Sequence, residues 1–134
     1  MSTASFTMPL RVRYVECDMQ DRVFNAHYLT WVDMAHTDAL GELTAGYQTL
    51  TRAGIDLVVA AAQLQFRAPA RFDDRLVVTT TIHSPGTTSL RSDFVIARDD
   101  TVLAEVVMTH VCVDAISYQK QPWPDWLRAQ LPRP

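Results

Sequence analysis

The sequence predicts an α+β domain in which a five-stranded antiparallel sheet wraps around one long central helix. Three observations carry this reading. Five segments alternate in polarity or are rich in β-branched residues, as strands are. A single stretch, from Ala26 to about Ala45, repeats its apolar residues at helical spacing. Short turn signals separate the later strands, so consecutive strands are expected to pair antiparallel. A helix of about 18 residues cannot cover a flat five-stranded sheet, so the sheet is expected to curve around it.

The first strand is read from "FTMPLRVRYVEC", where Leu10, Val12 and Tyr14 alternate with Arg11 and Arg13. The helix follows a polar loop. Tyr28, Val32, Ala35, Ala39 and Leu43 make its main stripe, with Leu29, Trp31 and Leu40 beside it. An apolar surface wider than one stripe implies neighbours on more than one side. Gly46 is the expected stop. After a variable stretch, a second strand runs from about Leu57 to Phe66 and is closed by Pro69. "RLVVTTTIHS" is the third, ending at the turn pair Pro85-Gly86. "TSLRSDFVIARDD" and "TVLAEVVMTHVCVDA" are the fourth and fifth, joined at Asp99-Asp100. The tail "QPWPDWLRAQLPRP" holds two helical turns between prolines. With no repeat, linker or low-complexity segment, residues 1–134 read as a single domain.

Composition narrows the function. The 134 residues are 48% hydrophobic and 20% charged, the balance of a globular chain. A net charge of −3 offers no overall reason to bind nucleic acid. No apolar run reaches the ~18–20 residues of a membrane span. "MSTASFTMPL" lacks the basic and apolar regions of a signal peptide. The two cysteines, Cys17 and Cys112, are too few for a disulfide framework and suit a reducing compartment, so a cytoplasmic protein is expected.

Chemistry concentrates in "CDMQDRVFNAHY", Cys17 to Tyr28, between the first strand and the helix. The first amides of a helix are unpaired and favour negative charge, so a helix starting near Asn25 can polarise a carbonyl without a side chain. Asp18 stands at the other end of the loop, where a fold-back places a carboxylate across from those amides. From the residues alone Asp18 also reads as a turn or cap residue, and Asn25 as the helix N-cap. Asp21 reads as a turn residue. His27 and His36 lie nine positions apart, on opposite sides of a helix, which argues against a shared metal. His36 reads as structural, within reach of Asp33 or the neighbouring strand. His110 and Cys112 alternate on one face of the last strand, but a buried thiol there reads as core rather than nucleophile. Cys17 beside Asp18 is a poor thiolate.

Taken together, "RVRYVECD", "NAHYLTWVDMAHTDAL", "QFRAPARFDDRL", "GTTSL" and "EVVMTHVCVD" resemble, in order, the hotdog-fold thioesterases, nearest the 4-hydroxybenzoyl-CoA thioesterase-like acyl-CoA hydrolases. The resemblance covers roughly Leu10 to Asp114. It implies a hotdog fold and hydrolysis of an acyl or aryl thioester, with no cofactor or metal. It places the essential acid on Asp18, as nucleophile or as the base that activates water, and the helix-start amides at Asn25. The "GTTSL" turn, with Thr88 and Ser89, falls where relatives approach substrate from a partner subunit. Phe24 and Tyr28 are further candidates for the substrate pocket. The resemblance also implies subunits joined edge to edge, a homodimer or homotetramer.

This chain departs from many relatives in three places: Asp21 replaces Gly, Phe24 replaces Asn, and His36 replaces a mid-helix Arg. These changes read as tuning of the pocket. Arg67, Arg71 and Arg75 cluster before the third strand and Arg91 follows the "GTTSL" turn. They are either solvated edge charges or ligands for the phosphates of CoA, with Arg67 and Arg91 the candidates. "VVAAAQ" offers small residues to line an acyl tunnel, whereas Phe24 and Trp31 narrow one. Three other functions stay open: an acyl-carrier-protein thioesterase, a hydratase of the same fold, and a non-catalytic acyl-thioester binding protein. The hydratase chemistry usually needs a catalytic His with an acidic partner, and this loop offers Asp18 and Asn25 instead.

Overall fold

A computed structural model describes residues 2–134. Strands β1 (Thr3–Arg11), β2 (Ile55–Phe66), β3 (Arg75–His83), β4 (Ser89–Arg98) and β5 (Thr101–Asp114) form one antiparallel sheet in the order β1-β3-β4-β5-β2. The long helix α1 (Ala26–Leu43) packs on one face of the sheet. Two short helices, α2 (Gln48–Arg52) and α3 (Asp125–Arg128), complete the chain.

Period-two patterning selects the face that meets α1. Leu76, Val78, Thr80 and Ile82 on β3 are buried, as are Leu90, Ser92, Phe94 and Ile96 on β4. On β5 the same face carries Ala104, Val106, Met108, His110 and Cys112. α1 answers with Tyr28, Trp31, Val32, Ala35, His36, Ala39 and Leu40, a stripe at three- and four-residue steps. One core cluster gathers around Trp31, Val32, Phe94 and Ile96. A second joins Leu40, Leu50, Ile82, Leu90 and Cys112 to Trp123, Leu127 and Leu131 of the tail.

Several expectations are corrected. The first strand starts earlier, at Thr3, and ends at Arg11 rather than continuing to Cys17. Val12 then exchanges backbone hydrogen bonds with Asp73 and Asp74, and Tyr14–Glu16 turn as a 3-10 helix. Tyr14 is therefore 79% exposed, not an inward strand residue. Pro9 is tolerated because β1 lies at a sheet edge. β2 and β3 follow each other in sequence without pairing. β2 instead adds to the far side of β5, and residues 67–74 cross the end of the sheet. Arg67 and Ala68 donate to the Leu103 carbonyl on that crossing.

The variable stretch contains α2, held by Leu50 in the second core. α1 stops where expected. Ala45 and Gly46 have φ of 60° and 112°, and the Gly46 amide donates to the Gly41 carbonyl at 3.0 Å. Leu29 and Met34 on the outer side of α1 remain exposed in the single chain, as does most of β2 from Val59 to Gln63. No helix among the described residues is long and apolar enough to cross a membrane.

Candidate active site

The segment between β1 and α1 is a small hairpin rather than an open loop. Cys17 bridges Val23 antiparallel, the Asp18 amide donates to the Arg22 carbonyl at 2.9 Å, and the Phe24 amide donates to the Glu16 carbonyl at 2.9 Å. A turn closes the tip through the Asp21 amide and the Asp18 carbonyl, 3.0 Å apart. Asp21 takes φ of 63°, a conformation that glycine adopts freely and Asp tolerates through its short polar side chain. Asp can therefore hold the same turn as the Gly that the resemblance implies at this position. Val23, in turn, donates to the Ala70 carbonyl, so the hairpin docks on the β2–β3 crossing.

The hairpin brings Asp18 and the helix start to one cleft. Asp18, Gln20, Arg22, Val23, Phe24 and Asn25 form one wall of a space of about 400 Å³. Tyr28, Phe66, Arg67, Ala68 and Pro69 form the other. The half-buried Asp18 carboxylate accepts the Gln20 amide through Oδ1 at 2.8 Å, the local bond of a turn residue. Its Oδ2 accepts no hydrogen bond among the described residues.

Asn25 stands at the N-cap position of α1, but its backbone is helical and its side chain makes no cap bond. His27 and Tyr28 donate back to the Phe24 and Asn25 carbonyls at 3.0 and 3.3 Å. The amides of Asn25 and Ala26 donate to no acceptor among the described residues. Asn25 lines the cleft, so the start of α1 with these two unpaired donors borders it. Unpaired helix-start amides can stabilise an oxyanion.

The other predicted residues divide. Phe24 is 49% exposed on the cleft wall. Tyr28 lines the cleft with its ring against Phe66, centroids 5.1 Å apart, while its hydroxyl accepts the Ala70 amide at 3.0 Å. Burial pushes that hydroxyl's pKa up, leaving it a neutral wall element. Arg67 lines the cleft too, paired with Glu105 at 3.0 Å. Arg91 does not reach it; it pairs with Asp93 at 3.0 Å on β4. Thr88 and Ser89 also lie outside the cleft of their own chain. The Thr88 carbonyl accepts the Cys112 amide at 2.7 Å, and the Ser89 carbonyl accepts the Trp123 indole at 3.2 Å.

His27 packs on Phe24, whereas His36 is buried and stacks on His110 at 3.8 Å between ring centroids. No group of three or more His, Cys, Asp or Glu among the described residues is placed to hold a metal ion. Burial, reinforced by Asp21, Glu16 and Asp18, raises the Cys17 pKa and keeps it a thiol. Sequence reasoning missed Glu16. It is a carboxylate only 2% exposed, two residues before Asp18, and the available signal was an acidic residue at the end of an alternating apolar run.

A family model of the Thioesterase-like superfamily matches residues 12–131. The chain is 30% identical over 132 residues to the acyl-CoA thioester hydrolase YbgC of Escherichia coli O6:H1, covering 98% of both chains. It is 29% identical over 107 residues to the long-chain acyl-CoA thioesterase FadM of Escherichia coli K12, covering 78% of this chain and 80% of FadM. Among solved structures, the 1,4-dihydroxy-2-naphthoyl-CoA thioesterase Slr0204 from Synechocystis superposes with a TM-score of 0.84 at 25% identity, over 95% of each chain. With its five-stranded sheet around one helix and this match across the cleft-forming segments, the chain belongs to the thioesterase-like superfamily and has the hotdog fold.

Proposed function

We propose that the protein is an acyl-CoA thioesterase that hydrolyses an acyl or aryl thioester to the free acid and CoA. One observation carries the reading: Asp18, a carboxylate with a free oxygen, lines one cleft with Asn25, at the start of α1 where the amides of Asn25 and Ala26 are unpaired among the described residues. The thioester carbonyl lies between them, its oxygen toward the amides. Asp18 attacks the carbonyl carbon, or takes a proton from the water that does so. Charge then gathers on the carbonyl oxygen, where the two N–H groups and the positive end of α1 stabilise it. The carbon–sulfur bond breaks and the CoA thiolate takes up a proton. Where Asp18 was the nucleophile, a water then hydrolyses the mixed anhydride it formed, and the acid departs with the Asp18 carboxylate restored. Phe24, Tyr28 and Phe66 supply the apolar walls that hold the acyl group and exclude water.

The nucleotide end of CoA carries phosphates. Arg67, at the cleft, is the candidate within the chain, and Arg91, Thr88 and Ser89 are candidates only across a subunit interface. β2 is the edge that fits such an interface. It is largely exposed, carries the apolar Val59 and Phe66, and ends at the cleft wall. A homodimer joined along β2, doubled in a homotetramer, closes that edge. The two free cysteines suit a cytoplasmic setting.

The test is turnover of a panel of acyl- and aryl-CoAs by the wild type and Asp18→Asn. The variant is expected to lose about 10³-fold in kcat while still binding a non-hydrolysable acyl-CoA thioether. Undiminished hydrolysis removes Asp18 from the mechanism. Binding without turnover in the wild type points instead to a non-catalytic acyl-thioester binding protein. Light scattering tests the assembly, and an active monomer contradicts the interface reading.

A further inference from the structure

Two residues before Asp18, the Glu16 side chain is buried and fully engaged. Its Oε1 accepts the Arg13 amide at 2.8 Å, and its Oε2 accepts the Trp31 indole N–H at 2.8 Å. The Arg13 guanidinium approaches Oε2 at 3.3 Å, but that side chain is 70% exposed, so solvent weakens the ion pair. The Glu16 backbone is engaged as well, its carbonyl accepting the Phe24 amide at 2.9 Å. One residue therefore ties three things together: the start of the hairpin, the residue just ahead of the open helix end, and the second turn of α1. Trp31 is itself 2% exposed and packs against Tyr28, ring centroids 5.1 Å apart.

A buried carboxylate is costly unless its oxygens are satisfied. Apolar contact alone would hold the base of the hairpin at less cost, so direction is what the carboxylate adds. The Glu16–Trp31 bond is the only side-chain hydrogen bond among the described residues that runs from the hairpin strands to α1. We infer that Glu16 and Trp31 form a positioning pair that holds the Asp18 carboxylate in register with the free amides of Asn25 and Ala26. The inference rests on the thioesterase reading of that cleft. Glu16 touches no substrate. It acts through the hairpin, where a shift of about 1 Å in Asp18 is enough to cost on the order of 100-fold in rate.

Trp31→Phe keeps an aromatic ring in the core and removes the N–H that crosses to Glu16, together with part of the indole's volume, a packing loss for which the core variant Ile82→Val serves as the control. Glu16→Gln keeps one acceptor and sets an NH2 group against a donor. In both, kcat for an acyl-CoA is expected to fall about 10- to 100-fold with KM within about threefold, because neither Glu16 nor Trp31 lines the cleft. Ile82→Val, a core change in the second cluster that loses stability without touching the hairpin, is expected to leave kcat within about twofold. A second readout is independent of turnover: amide exchange of Asp18 and Phe24, followed by NMR, is expected to speed up at least about tenfold in Trp31→Phe.

Unchanged exchange at those amides overturns the tether, whether or not thioesters are hydrolysed. Faster exchange with kcat unchanged in Trp31→Phe overturns the positioning role. A kcat loss in Ile82→Val equal to that in Trp31→Phe does the same. A wild type that turns over no thioester overturns the thioesterase reading, and with it the catalytic role of the pair, leaving only the tether.

Discussion

The two halves of α1 both leave polar groups unpaired, but in opposite settings. At its start, where Asp18 and Asn25 line an open cleft, the Asn25 and Ala26 amides and one oxygen of Asp18 have no partner among the described residues. Near its middle, His36 stacks on His110 beneath the helix, and His36 Nε2, His110 Nδ1 and Ser92 Oγ are buried with no partner among the described residues. Unpaired donors that face a cleft are kept solvated until a substrate replaces the water, so they cost the folded protein little. Unpaired groups sealed between helix and sheet weigh on stability itself. The contrast separates a place where polarity serves a reaction from one where it sets the conditions under which the fold survives.

The largest effect expected from breaking that contrast is on rate. Asp18→Asn is expected to abolish most turnover with the thermal midpoint nearly unchanged, since the side chain makes only one local bond among the described residues. His110→Leu is expected to do the reverse, leaving kcat within about twofold, since surface and core changes away from a site act through stability.

The next effect is on pH. Burial, with the neighbouring His110, pushes the His36 pKa down to about 3. Burial pushes His110 down to about 4, partly opposed by Asp33. Both imidazoles are therefore neutral in the folded chain and take up protons more readily once unfolded. Stability is full above the ordinary value of 6.5 and falls as pH drops from there toward 4 and then 3. The slope approaches about 1.4 kcal/mol per pH unit for each ring. Denaturant unfolding at pH 7 and pH 5 measures it, and His110→Leu is expected to shrink the slope. A pH-independent midpoint from 7 to 5 contradicts this account.

Smaller effects sharpen the boundary between the halves. Tyr28→Phe leaves the buried Ala70 amide without its acceptor and is expected to cost about 1–3 kcal/mol in urea unfolding. Because Tyr28 also lines the cleft, its loss tests whether the wall and the crossing segment move together. Asp21→Gly should change stability by no more than about 0.5 kcal/mol, as relief at φ of 63° offsets the added chain entropy. A kcat change without a stability change in that variant would show that the hairpin tip governs access to the cleft.

Much of this arrangement was legible in the residues. The central helix, its face and the later strands follow from periodicity alone, and Asp18 and Asn25 stand at the two ends of one polar spacer. The rest depended on long-range pairing. That Val12 leaves the sheet is decided by Asp73 and Asp74, some 60 residues later. That β2 joins β5 rather than β3 is a choice between partners with equally good strand patterns. Thr88 and Ser89 lie outside the cleft of their own chain, where the turn's carbonyls accept hydrogen bonds from the tail and β5. The expected approach from a partner subunit is a matter between chains that no single-chain pattern encodes.

By itself, then, the sequence determined the central helix, the later strands with the faces they bury, and the identity of the groups at the helix start. Those are local matters of side-chain period, turn chemistry and unpaired helix amides. Only the tertiary structure decided which groups meet. It folded "CDMQDRVF" into a hairpin, brought Asp18 and the start of α1 to one cleft, and sealed Glu16 against Trp31. The physical reason is that burial and hydrogen-bond satisfaction belong to pairs of residues distant in sequence, and no period within a segment encodes the partner.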